Sequence, residues 1–201
     1  MNLPVSPMGS RPLIVGLGGT VRPYSSTERA LAVALNAAEV AGAQTRILGG
    51  DFLAKLPMFD PRPGGPTLEQ RELTEALAAA DGIILATPGY HGSISGVMKN
   101  ALDTLELGRD EARPYLSGKP VGTIVTAGGS QAAGTSLMTL RAIIHALRGW
   151  PTPFGATLNS ATPLFDEAGA CLNAKDASQL AIVAGQVVQF AQMRAVAQAA
   201  A

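Results

Sequence analysis

Short apolar segments that alternate with helical patterns constrain the fold of this chain most strongly. The segment GIILATP at 82–88 is apolar almost throughout, which is typical of a strand in a parallel sheet covered by helices on both faces. Comparable segments stand at 12–19, 44–48, 120–129 and 151–159. The alternation predicts an α/β fold, a three-layer sandwich around a five-stranded parallel sheet.

Apolar residues at helical spacing predict the elements that connect these strands. The predicted helices cover residues 27–43, 67–81, 96–106, 136–150 and 174–197. Gly42 is expected to stop the first of them, and Thr67 or a neighbour to cap the second. Residues 51–66 are rich in proline and glycine and are expected to form a long surface loop.

Composition excludes several classes of function. Fifteen basic and fifteen acidic side chains give a formal net charge of zero, which argues against a nucleic-acid-binding surface. Cys171 is the only cysteine, so disulfides and a CxxC redox pair are excluded. His91 and His145 are the only histidines, and we therefore expect no metal site.

The amino terminus carries no secretory signal pattern. Residues 1–11 are rich in proline and serine, and we expect a disordered tail there and one domain over 12–201. No apolar segment approaches the length of a membrane span, so we expect a cytoplasmic protein that binds no membrane.

Three loops rich in glycine and hydroxyl side chains follow the first, third and fourth predicted strands. They are GGTVRPYSST at 18–27, TPGYHGSISG at 87–96 and TAGGSQAAG at 126–134. In a parallel sheet the carboxyl ends of all strands meet at one edge, which is where α/β proteins of this type bind ligands. The three loops are therefore expected to lie together.

The first loop has the chemistry of an anion site. It precedes a helix, whose amides and dipole favour a negative charge, and its hydroxyls and Arg22 can add contacts. No lysine stands between Met1 and Ala54, which excludes a Walker A loop, and Val21 breaks a GxGxxG dinucleotide pattern. The loop therefore fits either a single phosphate or an ordinary helix-capping turn.

The other two loops are ambiguous when each is considered alone. GSISG resembles a nucleophile elbow, but Ile94 stands where the serine is needed, and His91 has no acid partner evident in the sequence. Pro88, Tyr90 and His91 are therefore either packing residues or neighbours of a flat ring. The third loop is either a flexible connection or a backbone surface that contacts a ligand.

Taken in order, the three loops resemble those of the NAD(P)H-dependent FMN reductase family of the flavodoxin-like superfamily. Residues 19–27 are similar to the phosphate loop G-S/T-x-R-x-x-S-x-S/T, and 88–103 to the stretch P-x-Y-x-x-S-x-x-G-x-x-K-x-x-x-D. TAGGS at 126–130 matches the third flavin loop. The resemblance covers about residues 13–155 and implies the strand order 2-1-3-4-5.

The resemblance also implies roles for individual residues. FMN phosphate would be bound by Thr20, Arg22, Ser25, Ser26 and Thr27. The ribityl chain and the isoalloxazine ring would be lined by Pro88, Tyr90, His91, Gly92 and Ser93. The polar edge of the ring would be approached by the backbone of Ala127, Gly128 and Gly129. No side chain is assigned as catalytic, because the flavin itself carries the hydride chemistry.

Three further features of the family pattern concern assembly. Lys99 and Asp103, one helical turn apart, are interpreted first as a structural or interface pair. Some members carry an inserted tyrosine at the tetramer interface, near the position that Met138 occupies here. This chain has no tyrosine at that place, which leaves open whether FMN is a loosely held substrate or a tightly held group. Residues 58–66 are similar to segments that cover a neighbouring subunit's flavin, and a homodimer or homotetramer is implied.

The implied function is hydride transfer from NAD(P)H to FMN, with reduced flavin supplied to a monooxygenase. The alternatives are a flavin-bound reductase of quinones, azo compounds or metal oxyanions, and a non-enzymatic electron carrier, which the neutral charge disfavours. Discrimination between NADH and NADPH would need cations for a 2′-phosphate. Candidates for that role are Arg22, Arg62, Arg109 and Arg113.

Overall fold

The computed structural model describes residues 11–62 and 64–200. Residues 1–10 of the predicted tail lie outside the described residues, and Arg11 donates hydrogen bonds to the carbonyls of Gly42 and Ala43. The strands are β1 Leu13–Gly18, β2 Gln44–Leu48, β3 Gly82–Pro88, β4 Pro120–Ala127 and β5 Trp150–Asn159. The helices are α1 Ser26–Val40, α2 Gly50–Leu53, α3 Leu68–Ala79, α4 Gly96–Thr104, α5 Ser130–Ala146 and α6 Ala174–Ala199, with a 3₁₀ turn at Leu105–Gly108.

All five strands run parallel, in the order β2-β1-β3-β4-β5. The predicted strand order is confirmed. The strand order reverses between β1 and β3: β2 is added on one side of β1, and β3, β4 and β5 are added in turn on the other side. Such a switch point opens a crevice at the carboxyl ends of the strands.

Two apolar cores, one on each face of the sheet, confirm the three-layer sandwich. Ile14 and Ile84 face α1 and α6, whereas the adjacent Val15 and Ile83 face α3, α4 and α5. Neighbouring strand residues point to opposite faces, so a strand covered on both sides must be apolar at every position. The continuous apolar segments follow from this arrangement.

The helix boundaries differ from the predictions in two places. Residues 51–66 do not form one continuous loop, because α2 covers its start and buried Leu53 and Leu56 anchor the chain there. Helix α5 begins at Ser130 and not near Ser136, because Ala133 packs against the end of β4. The predicted helix stop at Gly42, with φ +94°, and the cap at Thr67 are both confirmed.

Helix α6 corrects the expectation about membrane spans. By length and composition alone it could cross a membrane, which the sequence interpretation did not anticipate. One face of the helix packs against α1, β4 and β5, and a third of its most apolar segment is buried there.

Lys119 is a buried lysine just before β4, only 1% exposed. Its Nζ donates to the carbonyls of Ala78 and Ala80 at the end of α3, both at 2.6 Å. Its pKa is lowered from 10.5 to about 7, chiefly by burial and in part by the charges of Arg113 and Arg194, while Asp81 opposes the fall.

This shift predicts that stability rises with pH above neutrality. Between pH 7 and pH 10 the unfolded lysine holds a proton that the folded one has lost, so we expect the free energy of unfolding to rise by about 2 to 4 kcal/mol. Below pH 7 the burial penalty is present in full. Urea titrations at several pH values should show that Lys119→Met loses this slope, whereas Lys55→Met, at an exposed lysine, keeps it.

Candidate functional site

The loops after β1, β3 and β4 enclose a cleft of about 340 Å³ at the carboxyl edge of the sheet, here called the edge cleft. The predicted residues that line it are Thr20, Arg22, Ser25, Ser26, Thr27, Pro88, Tyr90, Ala127 and Gly128. The predicted residues that do not line it are His91, Gly92, Ser93 and Gly129. The lining residues that sequence reasoning missed are Tyr24, Gly89, Thr126 and Ser160.

The first loop forms the polar end of the edge cleft. Ser25 caps α1, its Oγ accepting from the Glu28 N–H at 3.2 Å, so the first amides of the helix face the loop. Thr20 Oγ1 accepts from the Arg22 N–H at 3.2 Å. Among the described residues that line the cleft, Arg22 alone has a cationic side chain.

Glu28 fixes this loop from behind. Its two carboxylate oxygens accept from the Tyr24 N–H at 3.2 Å and from the Gly50 N–H at 3.0 Å. Tyr24 has a left-handed φ of 54°, a conformation that costs energy for a residue with a side chain. The carboxylate thus holds the loop and the start of α2 together.

Thr27 makes a contact that the sequence did not predict. Its Oγ1 lies 2.6 Å from the Oγ1 of Thr126, near the carboxyl end of β4, and both side chains are buried. Each hydroxyl has one hydrogen, so one hydrogen joins the two oxygens and the other stays available to an acceptor in the cleft. Thr27 therefore both ties α1 to β4 and retains a possible ligand contact through the pair.

The second loop is a tight hairpin whose two tip residues, His91 and Gly92, do not line the cleft. Tyr90 and Ser93 exchange two backbone hydrogen bonds, of 2.9 and 3.0 Å. His91 and Gly92 between them have φ values of 53° and 80°, the left-handed pair found in two-residue hairpins. This turn explains why His91 is exposed and outside the lining, whereas Tyr90 borders the cleft.

The third loop presents backbone without side chains. A Cβ added to Gly128 or to Gly129 would meet no described atom within 4 Å, so packing does not demand glycine at either position. Gly89 differs, because a Cβ there would come within 3.0 Å of both Ala127 Cβ and Ser136 Oγ. Gly128, which lines the cleft, thus has open space beside its backbone.

Ser95 joins two of the loops and was not identified from the sequence. Its Oγ donates to the Gly19 carbonyl and accepts from the Met98 N–H, while its own N–H donates to Thr87 Oγ1. We expect Ser95→Ala to lower the free energy of unfolding by about 1 to 2 kcal/mol, because it removes a helix cap and leaves a buried carbonyl unpaired. Urea denaturation measures this loss.

The matched control for that prediction is Ser178→Ala on the exposed face of α6. We expect it to change stability by less than about 0.5 kcal/mol, since it breaks no buried contact. Equal losses in the two variants would contradict the structural role assigned to Ser95.

Several residues of the family pattern lie outside the edge cleft. Lys99 Nζ contacts both carboxylate oxygens of Asp103, at 2.7 and 2.8 Å, and both side chains are about half exposed on α4. Met138 is exposed on α5. In the segment 58–66, Arg62 pairs with Asp60 and thereby lowers the pKa of that carboxyl group.

Curated relatives match part of the chain. The FMN-dependent NADPH-azoreductase of Staphylococcus aureus strain USA300 is 43% identical over 83 residues. The match covers 41% of this chain and 40% of the relative, so this chain spans about two fifths of the relative's length.

Solved flavoenzyme structures share the fold. FerB, an NAD(P)H:(acceptor) oxidoreductase from Paracoccus denitrificans, superimposes with a TM-score of 0.74 and 19% identity over 90% of this chain and 98% of FerB. The NADH:FMN oxidoreductase EMOB gives 0.66 and 22% identity over 91% and 89%. The family model described as NADPH-dependent FMN reductase matches residues 12–162, and the chain belongs to that family.

Proposed function

We propose that this chain is an NADPH-dependent flavin oxidoreductase whose residues 12–201 form one flavodoxin-like domain that binds FMN in the edge cleft. The observation that supports this most directly is the division of that cleft into a polar end, at Arg22 and the start of α1, and an end where Gly128 presents backbone alone. FMN has the same division, with a terminal phosphate and a flat ring. The family and the azoreductase relative support the proposal.

The polar end has donors suited to a phosphate. Hydroxyls of Thr20, Ser25 and Ser26, the first amides of α1 and the Arg22 guanidinium would hold it. The Thr27–Thr126 pair has one hydroxyl hydrogen to add. The absence of lysine from this lining suits a phosphate that is bound and not transferred.

The open end has room for a flat ring. Pro88 and Tyr90 would border it on one side, and the backbone of Ala127 and Gly128 on the other. In this proposal His91, Gly92 and Ser93 act through the hairpin that positions Tyr90, and Gly129 through the start of α5. Amide N–H groups near Gly128 would stabilise negative charge at the ring edge, as fixed donors do elsewhere.

FMN bound here would supply the hydride chemistry, by accepting a hydride from NADPH and passing the electrons on. The chain's own residues bind the phosphate, orient the ring and form the walls of the cleft. None of the described residues is assigned a proton-transfer role in this proposal.

Among the candidate arginines for a 2′-phosphate, Arg22 alone lines the edge cleft. Arg62 pairs with Asp60, and Arg109 with Asp110 and Glu106. Arg113 lies near Trp150, at the opposite edge of the sheet. We therefore assign Arg22 to FMN and none of the other three to NADPH.

The proposal is tested by steady-state oxidation of NADPH with FMN, a quinone and an azo dye as alternative acceptors. We expect flavin-dependent oxidation of NADPH. Saturation by added FMN with release of reduced FMN would support supply to a monooxygenase. Ping-pong reduction of the azo dye by tightly held FMN would favour the azoreductase alternative, which the relative's name suggests. No oxidation with any acceptor would contradict the reductase proposal and favour an electron carrier.

Assembly and location complete the proposal. We propose a homodimer or homotetramer in which residues 58–66 approach a neighbouring cleft, as in the family pattern. The protein is proposed to act in the cytoplasm.

A further inference from the structure

A second groove lies at the opposite edge of the sheet from the edge cleft. It has a volume of about 560 Å³ and lies between residues 113–118, Trp150 at the start of β5, and the last turns of α6. The eight residues of β4 separate the two edges, which corresponds to roughly 26 Å at the rise of a strand. A ligand here would not touch one in the edge cleft.

The groove combines aromatic walls with cationic side chains. Trp150, the chain's only tryptophan, is 57% exposed and packs at a tilt against Phe190, with ring centroids 5.2 Å apart. Arg113 and Arg194 line the same groove. The Arg194 Nη1 donates to the Gly118 carbonyl at 3.0 Å, which fixes that guanidinium in place.

Positive charge accumulates at this groove. Burial and the charge of Arg113 lower the pKa of Arg194, and both arginines help to lower the pKa of the buried Lys119. The charge of Asp81 opposes both of these shifts. An anion placed in the groove would reduce the mutual repulsion of the cations.

We propose that this groove is a binding site for a small aromatic anion, a carboxylate whose ring lies against Trp150 and Phe190 and whose charge meets Arg113 and Arg194. The aromatic wall supplies apolar and stacking contacts, and guanidinium groups bind carboxylates with two parallel hydrogen bonds. Charge favours this occupant over the chain's own residues 1–10, which contain no acidic side chain.

The test uses the lone tryptophan as reporter. The ¹⁵N-labelled protein gives a single indole N–H resonance, which is followed while 2-naphthoate is added. We expect a saturable shift with 2-naphthoate and at least about tenfold weaker binding of the neutral 2-naphthamide. The affinity of the protein for FMN, measured with and without 2-naphthoate, is expected to stay unchanged.

Matched variants locate the charge. Arg113→Gln is expected to weaken 2-naphthoate binding about tenfold, whereas Arg109→Gln, which removes the same charge four residues away outside the groove, should leave it within about twofold. Equal binding of acid and amide, or equal effects of the two variants, would overturn the proposal. A shift that depends on protein concentration without ligand would overturn it in favour of a contact between two copies of the chain.

Discussion

Gly128→Val is expected to lower FMN affinity by about 10- to 100-fold while the fold is retained. A Cβ added at Gly128 meets no described atom within 4 Å, so we expect the valine to be accommodated in the protein and to fill the space proposed for the flavin ring. Overfilling a close-packed contact typically costs about 1 to 3 kcal/mol, and about 1.4 kcal/mol corresponds to tenfold in affinity. FMN titration followed by flavin fluorescence measures the loss.

Gly185→Val is the matched control for that variant. Gly185 lies in α6, where a Cβ also meets no described atom within 4 Å, and it does not line the edge cleft. We expect FMN affinity in this variant to stay within about twofold of the wild type, because no ligand contact changes. Unchanged FMN affinity in Gly128→Val, with the fold intact by circular dichroism, would remove Gly128 from the flavin site.

Arg22→Ala is expected to weaken FMN binding by about 30-fold, since a hydrogen bond to a charged group contributes about 2 kcal/mol. Riboflavin, which has the same ring and no phosphate, should lose less than about twofold. The ratio of the two affinities, measured by titration with each flavin, isolates the phosphate contact.

Arg29→Ala provides the comparison for charge alone. Arg29 lies one turn along α1, donates to the Asp166 carbonyl, and does not line the edge cleft. We expect its removal to change FMN affinity by less than about twofold at moderate salt, where distant charges are screened. Equal losses for FMN and riboflavin in Arg22→Ala would contradict the assignment of Arg22 to the phosphate.

The sheet could be predicted from the sequence because its strands are buried on both faces. Every residue of β3 and β4 is buried, so GIILATP and PVGTIVTA are apolar or small enough to pack at each position. Parallel strands then bring the three glycine-rich loops to one edge. The approximate position of the candidate site followed from that geometry.

The start of α5 and the helix α2 could not be predicted from local sequence. Ser130, Gly134 and their neighbours are typical of a loop, and they become helical because Ala133 packs against Val125 and Ala127. Helix α2 begins where the Gly50 N–H meets Glu28, a residue 22 positions earlier. Both elements depend on tertiary contacts that override local propensity.

The edge cleft was predicted in outline and not in its details. The pairing of Thr27 with Thr126 joins residues 99 positions apart, which no local pattern reveals. The position of His91 outside the lining depends on the hairpin between Tyr90 and Ser93. Ser160 was missed although it follows the fifth strand, and the rule applied to the other strand ends would have identified it.

An anaerobic titration of the FMN-incubated protein with NADPH tests the central claim most directly. FMN is mixed with an excess of protein, its binding is followed by the change in flavin fluorescence, and its visible absorbance is then followed as NADPH is added. We predict that FMN binds and that its absorbance is bleached by about one equivalent of NADPH, as a hydride transfer to a bound flavin requires. FMN whose fluorescence is unchanged by the protein, or whose absorbance is not bleached by NADPH, would contradict the account.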